Sequence, residues 1–366
     1  MNNWIKASAL GTVISVSMVV CVLPTRAVPP AQPPAGLIAF VSDRTGQNEI
    51  YSMKTDGTDV KALTDSANGA SSIAPVWSPD GNHLLHFQRT KAEGSLVITD
   101  ADGGQPITLV TVQAPDVLIN SYIYVDWSAD SQRLIYGIMH AADITKGESL
   151  ATIAFYTVHQ DGSNNQLLNP SGISSPAMVR FLKDGSLIAA VQDDETVYHL
   201  DSAGNQPVQL PLKSFYMIFM SLSRDQFAST TDRSNSVDVF NLKTNTAKTI
   251  VKIPAIGLIR EMRWSPDGTL LWIQGDEAPD FTATPHVLKP VTKVTYIISL
   301  DGLTAHEFLK DLDSYGNRLS WSPDSQYLAY DAKEGGAYQV FVSRPDGSEK
   351  VKLTSEGANF QPAWQP

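Results

Sequence analysis

The chain has 366 residues, with 27 Lys and Arg against 38 Asp and Glu, for a net charge of −11. Hydrophobic residues at 42 % with 18 % charged predict a packed globular core and exclude a disordered chain. The acidic balance argues against a nucleic-acid surface, which needs clustered positive charge. The single cysteine, Cys21, excludes a disulfide framework and any cysteine-ligated metal centre.

Residues 1–27 read as a secretory signal peptide. Lys6 opens it, Ala7 to Leu23 is mostly apolar without a charge, and Thr25-Arg26-Ala27 offers a small-x-small exit. The apolar run is short for a bilayer span, so cleavage near Ala27 is expected rather than a permanent anchor. A Pro-rich linker, 28–36, follows. Removal of the signal takes away Lys6, Arg26 and Cys21 and leaves a more acidic, thiol-free chain. A periplasmic or secreted protein, not integral to the membrane after cleavage, is therefore expected.

The rest is organised by a repeat. Trp77-Ser78-Pro79-Asp80-Gly81 recurs as Trp264-Ser265-Pro266-Asp267-Gly268 and Trp321-Ser322-Pro323-Asp324-Ser325, with a near copy at Trp127-Ser128-Ala129-Asp130. Phe181-Leu182-Lys183-Asp184-Gly185 and Leu222-Ser223-Arg224-Asp225 are degenerate copies, and Trp364-Gln365-Pro366 is truncated. Each copy lies between apolar runs, and each Pro-Asp-Gly reads as a turn. Asp56-Gly57, Asp102-Gly103, Asp161-Gly162, Asp301-Gly302 and Asp346-Gly347 mark a second hairpin per repeat. Four strands per repeat without helical periodicity predict an all-β chain, a seven-bladed β-propeller over 37–366. Leu37 to Val41 is a second-strand run with no inner strand before it, and Gln361 to Trp364 is an inner strand with no blade after it. Pairing them closes the ring and leaves no free edge at the seam.

Ile38-Ala39-Phe40-Val41-Ser42-Asp43-Arg44-Thr45-Gly46, then Glu49-Ile50-Tyr51, Thr55-Asp56-Gly57 and Ala62-Leu63-Thr64, resembles a blade of the TolB-like propellers. Leu328-Ala329-Tyr330-Asp331, Asp346-Gly347-Ser348 and Lys352-Leu353-Thr354 carry the same resemblance. It covers the propeller part only. TolB-like proteins are similar in placing a six-bladed propeller behind a separate α/β domain; here the count is seven blades, and only 28–36 separate the exit site from the first strand. The resemblance implies the fold and an extracytoplasmic scaffold that binds a protein or peptide of the cell envelope.

Catalytic strings such as Gly-x-Ser-x-Gly and His-Glu-x-x-His are absent, so no catalytic residue, cofactor or metal is assigned. His306-Glu307 lacks the second histidine of a zinc motif, and the recurring aspartates Asp80, Asp130, Asp184, Asp225, Asp267 and Asp324 read as turn residues. On the inner strands, positions two before the Trp-like residue are uniformly apolar, whereas positions one and three before it are mixed and charged. Strand alternation then turns Asp126, Arg180, Glu261, Arg263 and Arg318 toward the central channel. There they either hold an anion or pair with one another. Two long connections, 139–149 and 275–292, carry His140, Asp143, Asp276, Asp280, Phe281 and His286 as candidate binding residues at a rim. The leading expectation is a monomeric binding scaffold; the alternative is a lyase or hydrolase acting on an acidic saccharide at the channel mouth.

Overall fold

In the computed structural model, residues 33–366 are described apart from 67–68, 115, 119–124, 141–151, 169–172, 174–175, 192–195, 213–216, 222, 224, 231–234, 279–292, 302–303 and 311–318. The expected signal peptide and residues 28–32 of the linker lie outside the described residues. Among those described, antiparallel strands form seven sheets, the blades of a β-propeller. No helix among them is long and apolar enough to cross a membrane.

Blade 1 is composite. Its inner strand Asn359–Trp364 comes from the chain end and pairs with Leu37–Ser42, followed outward by Glu49–Lys54 and Lys61–Ala62. The register sets Ile38 opposite Trp364, Ala39 opposite Ala363 and Val41 opposite Phe360. The backbone N–H of Gln365 also donates to the Leu37 carbonyl at 2.9 Å. The cut blade read from the sequence is the closure of the ring.

Blade 2 runs from Ser71–Trp77 through His83–Arg89 and Glu93–Asp100 to Ile107–Gln113. In blade 3 the inner position is shared: Val117–Leu118 and Val125–Trp127 both pair with Arg133–His140. That interruption was not legible in the sequence. Blades 4 to 7 begin with Met178–Phe181, Met217–Met220, Ile256–Trp264 and Leu319–Trp321.

Each strand alternates between the two neighbours of its blade, because successive side chains leave a strand on opposite faces. Apolar clusters consequently fall at the blade interfaces. Phe40, Met53 and Trp364 of blade 1 pack against Tyr327 and Val342 of blade 7, while Ala39, Val41 and Ile50 pack against Trp77 and Leu84 of blade 2. Trp272 of blade 6 meets Leu319 and Tyr330 of blade 7. The ring is a circle of flat cores, each sealed by two blades.

Among the described residues the expected turns form with an addition; Gly302 of the expected Asp301-Gly302 turn lies outside them. After Gly57, Gly103, Gly162 and Gly347, all at positive φ, the residue two positions on is also left-handed: Asp59, Gln105, Asn164 and Glu349. Each loop therefore reverses through two left-handed positions, whereas the Asp-Gly pair alone suggested a single glycine.

Candidate functional site

The repeated pentapeptide builds one end of the ring. In blade 3, Asp130 Oδ1 accepts the Ser128 hydroxyl at 2.5 Å and the Gln132 N–H at 3.1 Å, while Ser128 Oγ accepts the Arg133 N–H at 2.8 Å. Blades 6 and 7 repeat the motif through Asp267 with Ser265 and Asp324 with Ser322. The Ser128 hydroxyl and then the Gln132 N–H hold the Asp130 carboxyl below the usual range, and Ser186 does the same to Asp184. These aspartates are occupied by the backbone, as turn residues are.

The repeated tryptophans stitch blades together. The indole N–H of Trp77 donates to the Ala363 carbonyl (3.0 Å), that of Trp264 to Phe219 (2.9 Å) and that of Trp321 to Arg263 (3.3 Å), each on the inner strand of the preceding blade. With the indoles of Trp77, Trp264 and Trp321 held in this way, the inner-strand ends of blades 6, 7, 1 and 2 frame a funnel of about 590 Å³. Its wall is made of Trp77, Trp264, Trp321 and Trp364, the prolines Pro79, Pro266, Pro323 and Pro366, and small residues between them. These prolines were legible as turn formers but not as a wall. The signal that could have found it is their place two residues after each tryptophan, which sets one pyrrolidine per blade at the mouth.

Val125, Val179, Met262 and Leu319, two before the Trp-like position, are buried, whereas Val76, Asp126, Arg180, Arg263, Ser320 and Ala363, one before it, are half-buried. Blade 5 departs from this alternation, with Met220 half-buried and Ser221 buried. Among the described residues, Arg263 is the one charged side chain in the funnel wall. Its Nη2 lies 2.9 Å from Oε1 of Glu261, which is only 3 % exposed. Glu261 stands behind Arg263 and is not part of the funnel wall.

Asp126 and Arg180 instead join blades 3 and 4. Asp126 Oδ2 accepts the Phe181 N–H at 2.8 Å, and Arg180 Nη1 donates to the Val125 carbonyl at 2.6 Å. Arg318 lies outside the described residues.

The rim residues sit at the other end. The second strands of blades 3 and 6 start beside the Trp-containing turns and run away from them to His140 and Glu277. His140 Nδ1 is 2.9 Å from Asp116 Oδ2, and Asp276 Oδ2 accepts Arg260 Nε at 2.8 Å. Neither Asp116 nor Arg260 was singled out from the sequence; both partners come from separate strands or connections. Asp143, Asp280, Phe281 and His286 lie outside the described residues. Among the described residues no group of three or more His, Cys, Asp or Glu could hold a metal ion.

No family model matches the chain. A 72-residue segment is 35 % identical to the protein TolB homolog of Chlorobaculum tepidum, covering 20 % of this chain and 16 % of that protein. The chain thus aligns with about a sixth of that relative's length. The crystal structure of TolB from Acinetobacter baumannii superposes with a TM-score of 0.55 at 16 % identity, over 90 % of this chain and 67 % of that one. An oligogalacturonate lyase in complex with manganese superposes with a TM-score of 0.62 at 13 % identity, over 84 % and 86 %. The propeller part is TolB-like, and one fold serves proteins of different activity.

Proposed function

We propose that this chain is an extracytoplasmic β-propeller scaffold that binds a protein or peptide of the cell envelope in the funnel at the Trp-Ser-Pro end. The observation that carries this reading is the funnel itself, an apolar, aromatic and proline-lined concavity of about 590 Å³ held rigid by interblade indole bonds. Pockets of that size with few polar groups are the usual form of a binding site. Aromatic-lined grooves suit the docking of an extended peptide segment. The TolB-like character of the propeller supports the same reading, and the signal-like sequence of residues 1–27 supports an extracytoplasmic location.

The test is capture from envelope extract by the parent and by Ser320→Trp, which fills the funnel. A partner bound by the parent, lost in the filled variant and then shown to bind directly as a purified protein upholds the reading. A partner bound equally by both sinks it. Secretion is checked by the N-terminus of the exported chain, expected near residue 28.

The lyase-like alternative shares the fold of the oligogalacturonate lyase and needs histidine and arginine to converge at one mouth. Among the described residues, His140 stands at the end of the ring opposite Arg263, so these two do not converge.

A further inference from the structure

We propose that the funnel takes a cationic segment of its partner, an apolar stretch flanked by lysine or arginine. The apolar side chains lie on the tryptophan and proline wall, and the basic ones meet carboxylates at the mouth. This rests on the peptide-binding reading above and specifies its ligand. The apolar concavity supplies the place, and the charge around it supplies the selection. In three of the four blades that frame the funnel, the wall proline is followed at once by an aspartate: Pro79 by Asp80, Pro266 by Asp267 and Pro323 by Asp324. All three aspartates are exposed.

Their hydrogen bonds leave the charge in place. Asp80 Oδ1 accepts the Ser78 hydroxyl at 2.5 Å and the Asn82 N–H at 3.1 Å. Asp267 Oδ1 accepts the Ser265 hydroxyl at 2.6 Å and the Thr269 N–H at 3.0 Å, and Asp324 Oδ1 takes the same two bonds from Ser322 and Gln326. These donors are neutral, so they favour and orient the carboxylate without cancelling it. Among the described residues no lysine or arginine is ion-paired with any of the three. Arg263, by contrast, is paired with Glu261 and brings no net charge to the wall. The hairpins between third and fourth strands reach the same end, because alternate connections of an antiparallel blade share an end, and they add Asp56, Asp102 and Asp346. Lys54 and Arg344, also at that end, are paired with Asp59 and Glu349. An apolar concavity rimmed by one sign of charge draws in the opposite sign. The aliphatic stems of lysine and arginine lie on apolar surface while their heads reach outward, which suits prolines backed by carboxylates. An acidic peptide or saccharide would meet like charge on a chain that already carries −11.

The probes are nonapeptides with three apolar residues at the centre, acetylated and amidated so that their ends carry no charge. Their flanks are lysine in one set, glutamine in a second and glutamate in a third, and the apolar centre is varied within each set. Binding to the full chain is read by fluorescence anisotropy of a label on the peptide. At low ionic strength the lysine set should bind about tenfold tighter than the glutamine set, with the glutamate set weakest, and the gap should close as salt is added. The triple variant Asp80→Asn, Asp267→Asn, Asp324→Asn keeps each Oδ1 as an acceptor for its turn. It should lose most of the gap while its affinity for the glutamine set is unchanged. Should it fail to fold, Asp267→Asn alone, expected to narrow the gap, takes its place. Asp65→Asn, Glu93→Gln, Glu356→Gln removes the same charge at the other end of the ring and should keep the gap. Equal losses in the two triple variants reduce the preference to net charge and overturn the inference. Lysine-flanked peptides that bind Ser320→Trp as well as the parent sit outside the funnel and overturn it too. Equal binding of all three sets to the parent, abolished by Ser320→Trp, overturns the inference while the peptide reading stands. No binding of any set overturns the inference and leaves the wider reading to the capture experiment.

Discussion

Two serines show how single residues couple neighbouring blades. Ser131 and Ser325 occupy the position that glycine takes in the other turns, at φ of 61° and 62°. A side chain at such φ is strained, and it persists where something holds it. Ser131 Oγ accepts the Asp80 N–H and Ser325 Oγ accepts the Asp267 N–H, each at 3.1 Å and each from the preceding blade. Ser325→Ala keeps the strain and loses the bond, so it should cost about 1 kcal/mol in urea unfolding. Ser325→Gly loses the bond but relieves the backbone, and should cost less than Ser325→Ala.

His86 is a second residue-scale case, since it is 1 % exposed with neither ring nitrogen partnered. Burial pushes its pKa down from 6.5 to about 4. Between those values the unfolded chain takes up a proton that the folded chain refuses, so protons favour unfolding there. The contribution is fully present above pH 6.5 and declines as the pH falls to about 4, by about 3 kcal/mol at most. Unfolding curves of the parent and His86→Phe should therefore diverge in slope against pH only within that window. Parallel pH profiles would show that the imidazole reaches a proton partner in the folded state.

At the scale of the strand, the long inner strand Ile256–Trp264 carries two register shifts against Leu270–Glu277. They press backbone onto Gly275, where an added Cβ would lie 2.5 Å from Ile256 Cγ2 and 2.6 Å from the Leu258 carbonyl oxygen. The second contact is backbone and cannot swing aside. Gly275→Ala should destabilise by about 1–3 kcal/mol, seen as a lower urea midpoint with an unchanged slope. No pattern in the sequence announces these register shifts, although the Trp264 repeat marks the strand itself. The same holds at Ala74 and Gln361, both at positive φ, where the Gln361 amide oxygen accepts the Ala74 N–H at 2.9 Å across the blade 1 to blade 2 interface. What was legible was what repeats, namely the tryptophan turn, the Asp-Gly hairpin and the cut blade, because each is fixed by local φ/ψ preference or strand alternation. The candidate site was legible in part. Alternation found Arg263, but whether a channel-facing charge meets a ligand or a neighbouring blade is decided by tertiary packing. That packing holds Asp126 and Arg180 against each other's blades and sets Glu261 behind Arg263.

For the molecule as a whole, the closing strand has a consequence for chain order. Blade interfaces repeat around the ring, so stability depends on every interface being sealed and little on which connection is open. The seam of blade 1 is sealed by hydrogen bonds from Asn359–Trp364 to Leu37–Ser42, by the Gln365 side chain donating to the Gly81 carbonyl at 2.8 Å, and by Trp364 in the core shared with blade 7. Deleting 359–366 exposes two interfaces and a strand edge at once, and should abolish cooperative unfolding and promote association. Joining residue 366 to residue 36 by a short Gly-Ser linker and opening the chain between residues 284 and 285 moves the break to blade 6. There two strands on each side still pair through Leu270–Glu277 and Lys293–Ser299, along seven matched positions. Because closing entropy grows slowly with loop length, this permutant should unfold cooperatively within about 2 kcal/mol of the parent. The measurement is urea unfolding followed by tryptophan fluorescence, which reports the buried indoles, those of the funnel wall among them. A permutant that folds beside a truncation that does not would locate the stability of the ring in its closure. A truncation that still unfolds cooperatively would locate it in the single blade.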